Sequence, residues 1–409
     1  MKTQKLLSRT KFLFLFSLIL VTSCIKDDFI GHPGGGDDDD VKVRFASYNA
    51  SLNRSNEGEL ISDLSTPDNP QAKLVAEVIQ RQYPDVVALL EFDYDPNGEA
   101  LDLFQKNYLG ISQNGADAVT YEFAYSVSSN TGVLAEVDLD GNGEVSIPGD
   151  TYGFGFFPGQ FAFVILSKYK IQKENIRTFQ QFLWKDMPEA LLPVNEDNSQ
   201  YYSEEALAVF RLSSKNHVDI PIQVTESKVV HALIAHPTPP VFDGPEDRNG
   251  TRNHDEIRFI SDYINDESYI YDDNGFTGGL AYGSHFVVMG DMNADTFDGD
   301  ATNDPIGIFE SNSRINQSVL TGNRVPSSEG GTEASIVQGE INDTHIGDPA
   351  YDTGDFGDTN PGNLRVDYVL PSANLKVVDS GVFWPTEADE QNELNAASDH
   401  KLVWVDLEL

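Results

Sequence analysis

Val287-Val288-Met289-Gly290-Asp291-Met292-Asn293-Ala294-Asp295 reads as the end of a buried strand that delivers two polar side chains together. Val287 to Met289 form the apolar run, and Gly290 lets the chain leave the strand sharply. Asp291 and Asn293 would then share one side of an extended stretch. One can take a proton from water while the other orients it or holds a phosphate oxygen.

The same pattern, an apolar run closing on a polar residue, recurs along the chain. Val41 to Tyr48 alternates with period two and stops at Asn49. Asp85 to Leu90 is a nearly continuous apolar run with Glu91 at its end. Phe161 to Leu166, Lys228 to Ala235, Arg365 to Leu370 and Leu402 to Leu409 look similar. Helical spacing marks Gln71 to Gln82 (Leu74, Val75, Val78, Ile79), which ends before Pro84, and Asp255 to Ile264. Buried strands alternating with helices define an α/β chain without internal repeats.

Of the 409 residues, 39% are hydrophobic and 66 acidic side chains face 27 basic ones, for a formal charge of −39. Such a surface repels polyanions and lacks the basic stripe of a nucleic-acid binder. The single cysteine, Cys24, excludes an intramolecular disulfide. It follows a positive n-region (Lys2, Lys5, Arg9, Lys11) and the apolar run Phe12 to Val21, which is shorter than the roughly 20 residues a spanning helix needs. Val21-Thr22-Ser23-Cys24 resembles a bacterial lipobox, so residues 1–23 are expected to be a signal peptide and Cys24 to carry lipid. Ile25-Lys26-Asp27-Asp28 resembles a surface-export signal of lipoproteins. Residues 24–40, with three consecutive glycines and four consecutive aspartates, are expected to form a flexible acidic tether. Loss of residues 1–23 removes four positive charges and no negative ones, which takes −39 to −43.

Strand-end Asn49, strand-end Glu91, His236 after an apolar strand, Gly290-Asp291-Met292-Asn293, Arg365-Val366-Asp367-Tyr368-Val369 and Ser398-Asp399-His400 stand in an order that resembles the endonuclease/exonuclease/phosphatase superfamily. The resemblance spans nearly all of residues 41–409. It implies a deoxyribonuclease-like four-layer α/β sandwich, two mixed β-sheets packed face to face with helices outside. It also implies roles. Glu91 would be the main Mg²⁺ (or Mn²⁺) ligand, helped by Asn49 and Asp399. Asp291 would activate or position water beside Asn293, and His236 would donate to a non-bridging phosphate oxygen. Asp367 would orient His400 and favour its charged form.

The match has departures. Ala235 precedes His236 where many members have Thr, and Pro237 follows it, so His231 competes for the role. Arg248, Arg252 and His254, in a long polar loop expected over 243–254, would meet an outer phosphate or leaving group. Lys215 and His217 precede another strand and would face the site. Asp138-Leu139-Asp140-Gly141-Asn142-Gly143-Glu144 resembles a calcium loop through Asp138, Asp140 and Asn142. It has Gly149 where the bidentate Glu belongs, and Asp150 follows. Tyr152 to Ser167 resembles a stretch of a secreted bacterial subgroup in which Gln160 approaches the active site.

The expected function is metal-dependent hydrolysis of phosphate esters by a monomer lipid-anchored to the outer membrane, possible surface exposure included. Extracellular nuclease activity is the alternative in the same class, disfavoured by acidity. A calcium-stabilised surface binding protein without catalysis is the alternative from another class, against which the complete residue set argues.

Overall fold

The twelve strands of this computed structural model fall in chain order at β1 (Lys42–Asn49), β2 (Val86–Leu90), β3 (Phe123–Val127), β4 (Phe163–Ser167), β5 (Lys170–Ile171), β6 (Arg177–Thr178), β7 (His217–Gln223), β8 (Val229–Ala235), β9 (His285–Asp291), β10 (Asp367–Pro371), β11 (Lys376–Phe383) and β12 (Leu402–Glu408). Among the described residues seven α-helices join them: α1 (Glu59–Leu64), α2 (Pro70–Gln82), α3 (Glu99–Phe104), α4 (Glu204–Val209), α5 (Arg248–Ile264), α6 (Pro305–Ser311) and α7 (Glu329–Gln338). The structure describes residues 41–409, so the expected signal peptide, Cys24 and the tether lie outside the described residues. No helix among those described is long and apolar enough to cross a membrane.

The strands form two mixed sheets, ordered β11-β12-β1-β2-β4-β3 and β10-β9-β8-β7-β5, with β6 on β7. Side-chain alternation explains why they stack. Val43 and Phe45 of β1, Val86, Ala88 and Leu90 of β2, and Phe163 and Ile165 of β4 point into one core, which also takes in Val287 and Met289 of β9. The intervening Ala46, Tyr48, Val87, Leu89, Val164 and Leu166 join Val75, Val78 and Ile79 of α2 on the opposite face. The expected four-layer α/β sandwich is what the chain forms. At about 25 cal/mol per Å² of apolar surface removed from water, these doubly buried strands are the main favourable term.

The start of α2 has a local cause. Asn69 caps α2 by accepting the Ala72 N–H at 3.0 Å, and Pro70 supplies a pre-set φ at the first position. The helix closes on Tyr83 in the left-handed region, one residue before Pro84. Helix α5 differs from expectation: it begins at Arg248, seven residues before Asp255. Its first half buries polar Arg252, Asn253, Asp255 and Glu256, so no apolar period announces it.

Two details around the quoted stretch also differ. Strand β9 runs through Gly290 and ends on Asp291, so the glycine is no exit from the strand. A Cβ on Gly290 would stand 1.9 Å from the Ala235 carbonyl oxygen, and its φ is +153°. Glycine is required by close approach of β9 to β8. Gly290→Ala should therefore cost at least about 3 kcal/mol, read as a fall in Tm or failure to fold; an unchanged Tm would refute this packing. Asn293 lies at φ +50° and not in extended backbone, so it meets Asp291 through a turn.

Candidate active site

The polar strand ends converge on one edge of the sandwich. In the parallel β1–β2 pair Asn49 is in register with Leu90, which sets it beside Glu91. In the antiparallel β9–β10 pair Asp291 is in register with Asp367 itself. His236 follows β8 and His400 precedes β12, so the same edge receives both imidazoles.

Asp291 is the hub. Its Oδ2 lies 3.1 Å from Asn49 Nδ2, 3.4 Å from His236 Nε2 and 3.7 Å from His400 Nε2. Its Oδ1 accepts the Asn293 N–H at 2.8 Å, and Asn293 Nδ2 donates to the Pro237 carbonyl at 3.1 Å. His400 Nδ1 is 2.8 Å from Asp367 Oδ2. Thr353 Oγ1 accepts the N–H groups of Val366 and Asp367 at 3.0 and 2.9 Å, which fixes the start of β10. Phe356 packs edge-on against His400, ring centroids 5.3 Å apart.

Electrostatics separates the roles. Burial works to raise the Asp291 carboxyl, but the His400 charge and the hydrogen bond with His236 hold it well below the usual carboxylate range. Burial would lower His400, yet Asp367 and Asp291 beside it override that and push it up. Burial and the Asp291 charge raise Asp367, against the pull of His400. The net result at neutral pH is an imidazolium between two carboxylates. His236 is lowered, by burial first and by the Lys215 ammonium second, and is neutral.

Glu91 sits at φ +55° just past β2 and accepts two side-chain amides, Asn49 Nδ2 on Oε1 at 3.1 Å and Asn53 Nδ2 on Oε2 at 2.8 Å. Asn53 was not legible in the sequence, because it follows no strand. Among the described residues no Lys, Arg or His pairs with Glu91. A half-buried carboxylate without a cation, ringed by amides, suits a hard divalent ion. Asp291, Asp367 and His400 bring donor atoms within 4.8 Å of one another, and Asp367 Oδ1 is buried without a hydrogen-bond partner among the described residues. Asp399 lies at the surface, its carboxylate 3.4 Å from Ser398 Oγ. The oxygen-rich set fits Mg²⁺.

Several candidates go elsewhere. His231 pairs with Asp219 at 2.7 Å, whose other oxygen accepts the Tyr263 hydroxyl, so it does not compete with His236. Arg252 is buried and donates to the Leu212, Tyr152 and Arg211 carbonyls, a structural use. Arg248 pairs with Glu246, and His254 with Asp255. His217 Nε2 lies 2.9 Å from the Glu256 carbonyl in the core. Gln160 braces the segment carrying Asn53 by donating to the Arg54 carbonyl at 2.7 Å. Asp138, Asp140 and Asp150 do meet, but their oxygens already accept N–H groups: Gly141 and Gly143 on Asp138, Leu139 and Ser146 on Asp150. Asn142 Nδ2 donates to Asp140, so the loop closes its turn internally.

A buried carboxylate linked through an imidazolium to a second carboxylate, beside an amide-flanked Glu, is arranged for hydrolysis by an activated water. The model of the endonuclease/exonuclease/phosphatase family matches residues 46–400, and the chain belongs to that family. A comparison with curated proteins gives no match. Among solved structures, the chain is similar to an endonuclease/exonuclease/phosphatase from Beutenbergia cavernae (15% identity, TM-score 0.47, 90% of this chain and 72% of that one). It is also similar to a truncated TDP2 from Caenorhabditis elegans (14%, 0.42, 90% and 98%) and to a beta toxin of Staphylococcus aureus with bound magnesium ions (14%, 0.44, 89% and 99%).

Proposed function

We propose that this protein is a Mg²⁺- or Mn²⁺-dependent phosphoesterase that hydrolyses phosphate esters outside the inner membrane. The observation that carries the reading is the position of Asp291, anionic and within 4 Å of Asn49, His236 and His400. Asp291 and Asn293 orient the attacking water, and Asp291 receives its proton. His400, kept cationic by Asp367, and neutral His236 donate to phosphoryl oxygens as negative charge builds on them. Glu91, with Asn49 and Asp399, would hold the metal, which when bound would supply polarisation of the phosphoryl group and charge stabilisation at the leaving oxygen.

Glu91→Gln tests the metal assignment. Calorimetry should show Mg²⁺ binding to the wild type weakened by at least about tenfold in the variant, with the fold retained. Equal affinities would remove Glu91 from the metal site.

The formal charge of −39 favours a small phosphorylated substrate over nucleic acid, whose binding depends on phosphate contacts. Nuclease activity is the second reading within the family. The lipobox-like Val21-Thr22-Ser23-Cys24 supports attachment to the cell envelope through lipid on Cys24. Cys24→Ala should leave the protein out of the membrane fraction; normal lipid labelling of that variant would contradict the anchor.

A further inference from the structure

One cation at this site has no role in the chemistry described so far. Lys215 leads into β7 and is only 7% exposed. Its Nζ makes a single long contact, 3.4 Å to the Pro237 carbonyl. That same carbonyl accepts Asn293 Nδ2 at 3.1 Å, so the ammonium and the catalytic amide share one acceptor. No carboxylate lies within ion-pair distance of Nζ among the described residues. Glu91, Asp291 and Glu256 supply the surrounding negative field.

The fold fixes this position firmly. The Glu256 carboxylate accepts the Ser214 N–H on Oε1 and the Thr238 N–H on Oε2, both at 2.6 Å. One helical side chain thus ties the segment before β7 to the segment after β8, and sets Lys215 beside His236. Gly153 backs the arrangement, since a Cβ there would stand 1.8 Å from the Ser214 carbonyl. Among the described residues the Pro237 carbonyl is the one hydrogen-bond partner of this buried ammonium, which is costly unless an anion completes its donors.

We propose that Lys215 is a substrate-contacting catalytic residue, its ammonium donating to a non-bridging oxygen of the phosphoryl group alongside Asn293 and His236. This rests on the phosphoesterase reading and names a further residue of that site. A fixed ammonium at the phosphoryl oxygens stabilises both the bound ester and the product phosphate, because each presents an anionic oxygen there. The contact acts on charge, so it serves a phosphate ester whatever its organic group.

The test compares the wild-type protein with Lys215→Met, which keeps the length of the stem, and Lys215→Gln, which keeps a polar end. Steady-state kinetics with a phosphate diester and Mg²⁺ should show kcat/KM lower by roughly 10- to 100-fold in both variants. Calorimetry with inorganic phosphate should show weaker binding by a similar factor, and Tm should hold or rise once a buried charge is gone. Unchanged kcat/KM and phosphate affinity in a folded variant would overturn the proposal. So would loss of activity that tracks a collapse of Tm in both variants, which marks a structural lysine. A wild type that hydrolyses no ester yet binds phosphate through Lys215 would instead count against the phosphoesterase reading alone.

Discussion

Asp291→Asn is expected to lower kcat by about 10³-fold or more while leaving the fold in place. The change is isosteric, and the Asn49 amide keeps an oxygen to donate to at the 3.1 Å position. What disappears is the anion that His400 and His236 face. Asparagine cannot receive a proton from water, so orientation survives and activation does not. Circular dichroism and Tm close to wild type, with turnover gone, would separate chemistry from stability. A rate within threefold of wild type would remove Asp291 from the mechanism.

His400→Ala should be comparably severe, lowering kcat by about 10³-fold, and it should also destabilise the protein. Asp367 is buried, its Oδ1 has no hydrogen-bond partner among the described residues, and His400 is the ion-pair partner of its Oδ2. Breaking one side of such a pair strands the other charge, at about 3–5 kcal/mol. The charge state has a sign that can be checked. His400 holds its proton more tightly in the folded chain than in the unfolded one. Its contribution to stability is therefore complete below the ordinary imidazole pKa and is lost as pH rises through the raised folded value. In metal-free protein, NMR should find His400 as imidazolium at pH 8. In Asp367→Asn the largest favourable charge is gone, and the same ring should titrate at lower pH. A His400 that titrates alike in both would dismiss the pairing as the cause.

Much of the fold was legible because the central strands are buried on both faces, whereas β3 and β11, half-buried or exposed along most of their length, gave no such signal. Val86 to Leu90 and Phe163 to Leu166 are apolar without interruption, and a polar residue at the end of such a run has few places to go. Asn49, Glu91 and Asp291 were found by that logic, Asp367 and His400 by their place in the order of motifs, and the structure brings them together. Helix α5 was read too short because its first half buries charge, and burial of charge leaves no hydrophobic period. Arg252 was read as a loop residue for the same reason. Gly290 was expected at a turn; only the backbone of a neighbouring strand, distant in sequence, reveals that it permits close approach. Asn53, Thr353 and Phe356 act through contacts across the fold and carry no local signature. Lys215 stood beside a strand in the sequence, but only its shared acceptor with Asn293 ties it to the site.

The measurement that tests the central claim most directly is turnover by the purified protein with Mg²⁺ of a phosphate diester, a phosphate monoester and DNA, each beside His400→Ala. The geometry predicts Mg²⁺-dependent hydrolysis of at least one ester, abolished by EDTA and lost in the variant. Hydrolysis that continues undiminished in EDTA, or at equal rate in His400→Ala, would contradict it.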